Sequence, residues 1–329
     1  MPRLSIVIPT RQRADTLSFT IETALAQTHG DFEVVVQNNG NDQATNDAVA
    51  AFASRRIVLA CSTEILPMAA NWEAALAASS GEYVAFIGDD DGMMPDACAI
   101  CDELLSERPS LGALHWTPHY YDWPTSLRVA ARNRLVVNLP GPVAGTVRCC
   151  RDLLRRLYQG AIGWTDMPLI YNGAFVRRAV IEKVKAFCGD RYFAGQIPDV
   201  HSGIANLWAM ERFFHIDRPL SICGASGHSN GTAHFVGRSG ERLQTRFHAE
   251  NPELHRVLGD FFLGSTNMEL TVASALMVAK EMFFKDDPDI SLDMHNVLLR
   301  MGLGANRLAD IKVVGTAVSD VMKKFKPSY

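Results

Sequence analysis

Three consecutive carboxylates, Asp89, Asp90 and Asp91, follow directly on an apolar run at residues 83–87 and on Gly88. Neighbouring like charges repel, so the triplet does nothing for folding by itself. One explanation is a solvated acidic turn, because Asp is a natural turn residue and helix cap. The other is a hard-cation site: Mg2+ or Mn2+ takes oxygen ligands, often one or two carboxylates, with phosphates and water completing the shell. A cation held there would neutralise a diphosphate as it departs. The residue types alone leave both explanations open.

Other candidate chemistry is weaker. Cys98 and Cys101 stand three apart, but no second Cys or His pair follows at zinc-site spacing, so buried thiols are expected. Cys149 and Cys150 read the same way. His115 and His119 are four apart, yet Pro118 argues for extended chain rather than a helical metal pair. The sequence contains no Gly-Lys-Ser/Thr phosphate loop. Gly302 and Gly304 lack a preceding strand and a third glycine, and residues 224–228 lack the final glycine of a hydrolase elbow.

The elements that must position the triplet show as alternation. Residues 5–9, 32–36, 57–60, 83–87 and 111–116 are short β-rich runs, and residues 15–27, 44–53, 67–78 and 95–107 between them read as amphipathic helices. This spacing implies a mostly parallel α/β sheet covered on both faces, which binds ligands beyond the carboxyl ends of its strands. Three distant stretches fall on that edge: residues 10–13 after the first strand, Asn38 and Asn39 after the second, and the acidic triplet after the fourth. They should converge on one cleft. Residues 116–235 are less regular and richer in Trp, Tyr, His and Pro, and are expected to complete the sheet and build a second wall. From residue 236 to 329 the pattern turns helical, over 243–248, 253–262, 268–284, 292–301 and 305–325. The expected organisation is therefore an α/β domain over 1–235, divided near 115, and a helical C-terminal section that could serve a homo-oligomer.

With 329 residues, 47% hydrophobic and 21% charged, the chain has the balance of a folded protein. A net charge of −4 gives no general attraction to nucleic acid, so any phosphate site must be local. Seven scattered cysteines suit a reducing, cytoplasmic setting. The apolar stretch 4–8 is too short for a secretory signal, and residues 268–284 are interrupted by Glu269, Lys280 and Glu281. The basic end at Lys323, Lys324 and Lys326 reads as solvated, with peripheral contact to acidic lipid as the alternative.

Residues 5–10 (SIVIPT), 26–28 (AQT), 31–36 (DFEVVV), Asn39-Gly40, and 81–91 (GEYVAFIGDDD) followed by Pro95 resemble, in consistent order, the family 2 glycosyltransferases of the GT-A fold. The resemblance covers about the first 110 residues. It implies a Rossmann-type sheet, a UDP-, GDP- or dTDP-sugar donor, and Mg2+ or Mn2+. It also implies a saccharide or glycolipid acceptor and inversion at the anomeric carbon, in polysaccharide or glycoconjugate synthesis.

On this resemblance Pro9, Thr10 and the following loop, with Arg11 and Arg13, pack around the nucleotide, and Asn38 stands where a base-contacting Asp is usual. Asp90 faces ribose and diphosphate, Asp91 is the most direct metal ligand, and Asp89 completes a D-x-D with it. The family's acidic run often begins one residue earlier, where this chain has Gly88. An inverting transfer needs a general base. Asp199, in residues 197–203 before a helical run, fits that segment, with Asp166 as competitor and a plain helix cap as the structural alternative. His201 falls on the acceptor side, and His228, in a late polar loop, offers a third metal ligand. Trp116 and Tyr120 could stack on a sugar ring or pack as wall residues. Two rivals remain. A sugar-phosphate nucleotidyltransferase would show a Gly-rich loop where residues 10–13 have no glycine. A non-catalytic nucleotide-sugar-binding scaffold would not need the intact acidic residues.

Overall fold

The computed structural model describes residues 1–139, 145–195, 197–233, 236, 240–250, 268–293 and 296. The expected helices at 253–262 and 305–325, most of that at 292–301, and the basic end lie outside the described residues.

The first half alternates as the pattern requires: β1 (Leu4–Thr10), α1 (Ala14–Leu25), β2 (Phe32–Asn39), α2 (Gln43–Ala50), β3 (Ile57–Ser62), α3 (Met68–Ala77) and β4 (Tyr83–Phe86). β5 (Gly92–Met93), α4 (Ala97–Ser106), β6 (Ala113–His115), β7 (His119–Asp122), β8 (Arg134–Val136), β9 (Thr146–Cys149) and α5 (Cys150–Tyr158) follow. Then come β10 (Ala174–Arg177), α6 (Arg178–Phe187), α7 (Pro198–Ala209), β11 (Arg212–His215) and β12 (Ser221–Ala225). α8 (Asn230–Ala233), α9 (Glu241–Glu250) and α10 (Met268–Phe283) complete the described chain.

Eight strands form one sheet in the order β3-β2-β1-β4-β10-β6-β11-β9. β3, β2, β1 and β4 are mutually parallel, as are β6 and β11, whereas β10 and β9 run antiparallel to their neighbours. Both faces are covered. Leu4, Ile6, Ile8, Tyr83 and Ala85 pack with α1 and α4 on one face, while Val7, Val84 and Phe86 pack with α3, α5, α6 and α7 on the other. This is the period-two alternation of a strand buried on both sides, which is why β1 and β2 read as continuous apolar runs. In α1, Leu17, Thr20, Ile21 and Ala24 fall on the buried stripe.

Two features depart from the sequence expectation. β2 continues through Asn39, so Asn38 lies within a strand, paired with Thr10 of β1. A second sheet, β5-β12-β7-β8, begins immediately after the acidic triplet and joins it to residues 119–122, 134–136 and 221–225. α10 belongs to the same hydrophobic cluster as α7, through Val272, Leu276, Ala279 and Phe283. No helix among the described residues is long and apolar enough to cross a membrane.

Candidate functional site

β1 ends at Thr10 and the chain turns sharply, with Gln12 at φ 55°, before α1 begins. The turn brings Thr10 and Arg13 onto one carboxylate: the Thr10 hydroxyl donates to Asp89 Oδ2 at 2.6 Å, and Arg13 Nη1 donates to Asp89 Oδ1 at 2.9 Å. Arg13 Nη2 also donates to the His228 carbonyl at 2.7 Å, so one guanidinium joins the first loop, the triplet and the late loop. Burial disfavours that cation, but Asp89 and then Asp90 outweigh it and hold its pKa above the ordinary value.

Asp90 and Asp91 sit in different surroundings. Asp90 Oδ2 accepts from the Ser226 N–H at 3.0 Å, and its carbonyl accepts from Trp123 Nε1 at 2.7 Å. Burial, and next the Asp89 charge, raise its pKa, with Arg13 and Ser226 opposing. Asp91 accepts from Gly88 N at 2.5 Å and Gly224 N at 2.6 Å, and is hydrogen-bonded by the buried Tyr171 hydroxyl. Its pKa is pushed up to about 8 by burial and the adjoining Asp90. Gly88 has a steric reason: a Cβ there would lie 2.7 Å from the Tyr171 hydroxyl and 2.9 Å from Asp91 Oδ2, so the acidic run has no room to start earlier.

These loops open into a cavity of about 640 Å³. Pro9, Thr10, Arg11 and Arg13 line it from the first loop, Asn39 from β2, and Asp89 and Asp90 from the triplet. Trp116, Tyr120, Asp199 and His228 also line it. Trp116 is otherwise buried and donates through Nε1 to Ser221 Oγ at 2.7 Å, whereas Tyr120 is partly exposed.

Four of the expected residues are absent from the cavity lining. Asp91, expected as the most direct metal ligand, does not line the cavity, because protein donors occupy both of its oxygens. Asn38 faces away as well: its amide donates to the Asp42 carbonyl and to Asn46 Oδ1, so Asn39, which receives Ser62 Oγ and Leu66 N, is the β2 residue at the wall. His201 is buried behind the wall, its ring 5.6 Å from that of Phe283, and burial lowers its pKa to about 4. Asp166 is not in the wall; it caps its own turn by accepting from Gly163 N at 3.0 Å.

Asp199 lies in the first turn of α7 with Ile197 at the cap position, so it is no N-cap. It is half-buried, and desolvation raises its pKa despite the N–H of Val200 on Oδ1 at 2.9 Å. A raised carboxylate pKa in a cavity suits proton acceptance.

The residues present fit a hard cation held by few protein ligands. Among the described residues no three His, Cys, Asp or Glu side chains gather into a cage. With Asp91 withdrawn and Asp89 engaged by Arg13 and Thr10, Asp90, whose side chain is hydrogen-bonded by Ser226, is the triplet carboxylate left facing the cavity, which His228 also lines. One or two protein ligands plus phosphates and water is a normal arrangement for Mg2+.

Several wall residues escaped sequence reasoning. Arg128 lines the cavity with Nε held by buried Asp122 Oδ1 at 2.8 Å. Glu250 of α9 pairs with Arg11 at 2.9 Å, bringing α9 to the loop after β1. The small residues Gly224 to Ser226 were the available signal, since a backbone that meets two carboxylates leaves no room for side chains.

The family model for glycosyl transferase family 2 matches residues 5–184. The uncharacterized glycosyltransferase alr2836 of Nostoc sp. is 26% identical over 192 residues, 55% of this chain and 53% of its own length. The protein y4gI of Sinorhizobium fredii is 33% identical over 128 residues, 37% of this chain and 14% of that protein. The chain therefore spans only part of the length of the curated relatives it matches. Among solved structures, TarS residues 1–349 of S. aureus with UDP-GlcNAc superposes with TM-score 0.58 at 14% identity, covering 98% of this chain and 92% of that one. The same protein with UDP gives 0.55 at 13% identity, covering 98% and 91%. At such identity the likeness speaks for the fold, which is the GT-A arrangement.

Proposed function

The chain belongs to glycosyl transferase family 2, and from that membership we propose that it moves a sugar from a nucleotide-sugar to an acceptor hydroxyl with inversion. The observation that carries this reading is the single cavity shared by Asp89 and Asp90 at the end of β4, the loop after β1, and Asp199 at the start of α7. Donor diphosphate would lie against Asp90, with Mg2+ or Mn2+ held by Asp90 and His228 to offset the charge of the leaving group. Asp89 fixes Arg13, which keeps a cation beside that position. Pro9, Arg11 and Asn39 bound the nucleotide end.

Asp199 takes the proton from the acceptor hydroxyl as its oxygen bonds to the anomeric carbon. The bond to the diphosphate oxygen breaks on the opposite side, which inverts the centre. The raised pKa of Asp199 supports its role as base, and Trp116 and Tyr120 would hold the acceptor saccharide. UDP-sugars are the donors to try first, since TarS was solved with UDP-GlcNAc, followed by GDP- and dTDP-sugars. A cytoplasmic setting, a saccharide or glycolipid acceptor and assembly through the C-terminal section belong to the same proposal.

The test is a thermal-shift screen of these nucleotide-sugars with and without Mn2+, followed by transfer assays. One donor class should stabilise the protein in a metal-dependent way. Asp199→Asn should keep that stabilisation and lose transfer by on the order of 100-fold or more. Stabilisation by none of the donors would refute the reading.

A further inference from the structure

The second sheet ends in an edge that is unlike the rest of the surface. Val129, Leu135, Val136, Val137 and Leu139 are all exposed, Leu139 at 87%. They are five of the fourteen exposed large apolar side chains among the described residues, gathered within eleven positions. All three residues of β8 are exposed, so the strand has no buried face to specify it for packing inside this chain. A concentration of apolar side chains on a surface marks a binding face.

Its charge says what kind of face. Arg132 and Arg134 are interleaved with the apolar residues and exposed, residues 123–139 contain no Asp or Glu, and the neighbouring Arg128 is already paired with Asp122. The whole chain is net negative at −4, so this is a local basic island. Arginines beside exposed Val and Leu match the two layers of an anionic lipid surface, headgroup phosphates above and acyl chains below. A second copy of the chain fits less well. Two copies meeting through this face would bring like charges together, and charged edges oppose such pairing.

The position relative to the cavity is specific. β8 pairs with β7, in register Tyr120↔Val136, and Asn138 binds back to β7 through its N–H on His119 Nδ1 at 3.1 Å and its amide on the Pro118 carbonyl at 2.6 Å. Pro118 and Tyr120 line the cavity. We propose that residues 129–139 form a docking surface for an anionic lipid bilayer, which sets the Tyr120 side of the cavity toward the membrane. Resting on the function proposed above, this means that the acceptor reaches the cavity from the bilayer, carried on a lipid.

Sedimentation of the full chain with phosphatidylcholine–phosphatidylglycerol vesicles, and with phosphatidylcholine alone, tests the docking without any donor or acceptor. Binding is expected to the anionic vesicles only, weakening with salt. Arg132→Gln with Arg134→Gln, and Val137→Ser with Leu139→Ser, should each weaken it by on the order of tenfold. Unfolding temperature and donor hydrolysis in solution should stay at wild-type values. If a double variant fails to fold, Leu139→Ser alone carries the test. No binding to anionic vesicles, or equal binding by all variants, overturns the proposal. So does a concentration-dependent dimer that these variants dissolve. Because docking and hydrolysis are read separately, either can fail while the other stands.

Discussion

At Asp90 the Ser226 N–H stands on one side of the carboxylate and the cavity on the other, whereas at Asp91 protein donors close in from Gly88, Gly224 and Tyr171. The same isosteric change should therefore have opposite consequences. Asp90→Asn keeps an oxygen for Ser226 but loses the charge proposed to face the diphosphate, so transfer should fall by roughly 100-fold or more with little change in stability. Asp91→Asn puts an NH2 against one of two backbone N–H donors and should cost about 1–3 kcal/mol. Urea denaturation and a transfer assay on both variants check this, and the reverse pattern would return the ligand role to Asp91. The sequence displays the carboxylates but cannot rank them, because their donors come from Tyr171 and from Gly224 to Ser226, far along the chain. Asn38 and Asn39 carry the same difficulty: strand alternation sends one to the cavity and the other away, and that depends on where β2 ends.

β12 shows how an element can be required for a site it does not visibly contain. A Cβ on Gly224 would lie 1.7 Å from the Asp90 carbonyl oxygen, a contact that neither backbone can relieve without moving. Gly224→Ala should cost roughly 3 kcal/mol or more and displace both Asp90 and Asp91. Gly231, in the short α8 beyond it, has nothing within 4 Å of an added Cβ. Gly231→Ala should be neutral or stabilising by up to about 1 kcal/mol, since Ala favours helix. Thermal unfolding of the pair separates steric need from a general intolerance of change in this loop. Legibility follows the same logic. β1 to β3 and the helices around them carry enough residues for local periodicity to declare them, although β2 runs on through Asn39, beyond its expected end. β5, β7, β8, β10 and β12 have two to five residues each, too few to show a period, and their pairing is fixed only by partners distant in sequence.

At the scale of the whole molecule, α7, which presents Asp199 to the cavity, and α10 share one core. Phe283 of α10 packs against Trp208 of α7 at 5.1 Å between ring centroids and against His201 at 5.6 Å, on the helix whose first turn presents Asp199. Phe283→Ala should therefore cost about 3 kcal/mol, as a large-to-small change in a packed cluster does, and lower transfer more than donor binding. His201 gives the same core a pH signature. Its ordinary pKa is 6.5 and burial lowers it to about 4 in the folded protein. Above pH 6.5 it is neutral in both states and contributes nothing to pH dependence. Between 6.5 and about 4 the unfolded chain takes up a proton that the folded one refuses, so stability is lost as pH falls through that window, by up to about 3 kcal/mol. Asp91 acts in the opposite sense. Burial and the adjoining Asp90 raise its pKa in the folded state, so its contribution declines as pH rises toward about 8. Comparing wild type with His201→Leu cancels the triplet and isolates the histidine. Nε2 is buried with no hydrogen-bond partner among the described residues, so leucine strands nothing at that atom. The variant should follow wild type in pH dependence above 6.5 and gain on it steadily down to pH 4 in urea unfolding. Parallel curves across that range would mean that His201 is protonated inside the folded core, and that α7 and α10 are packed less tightly than their ring contacts indicate.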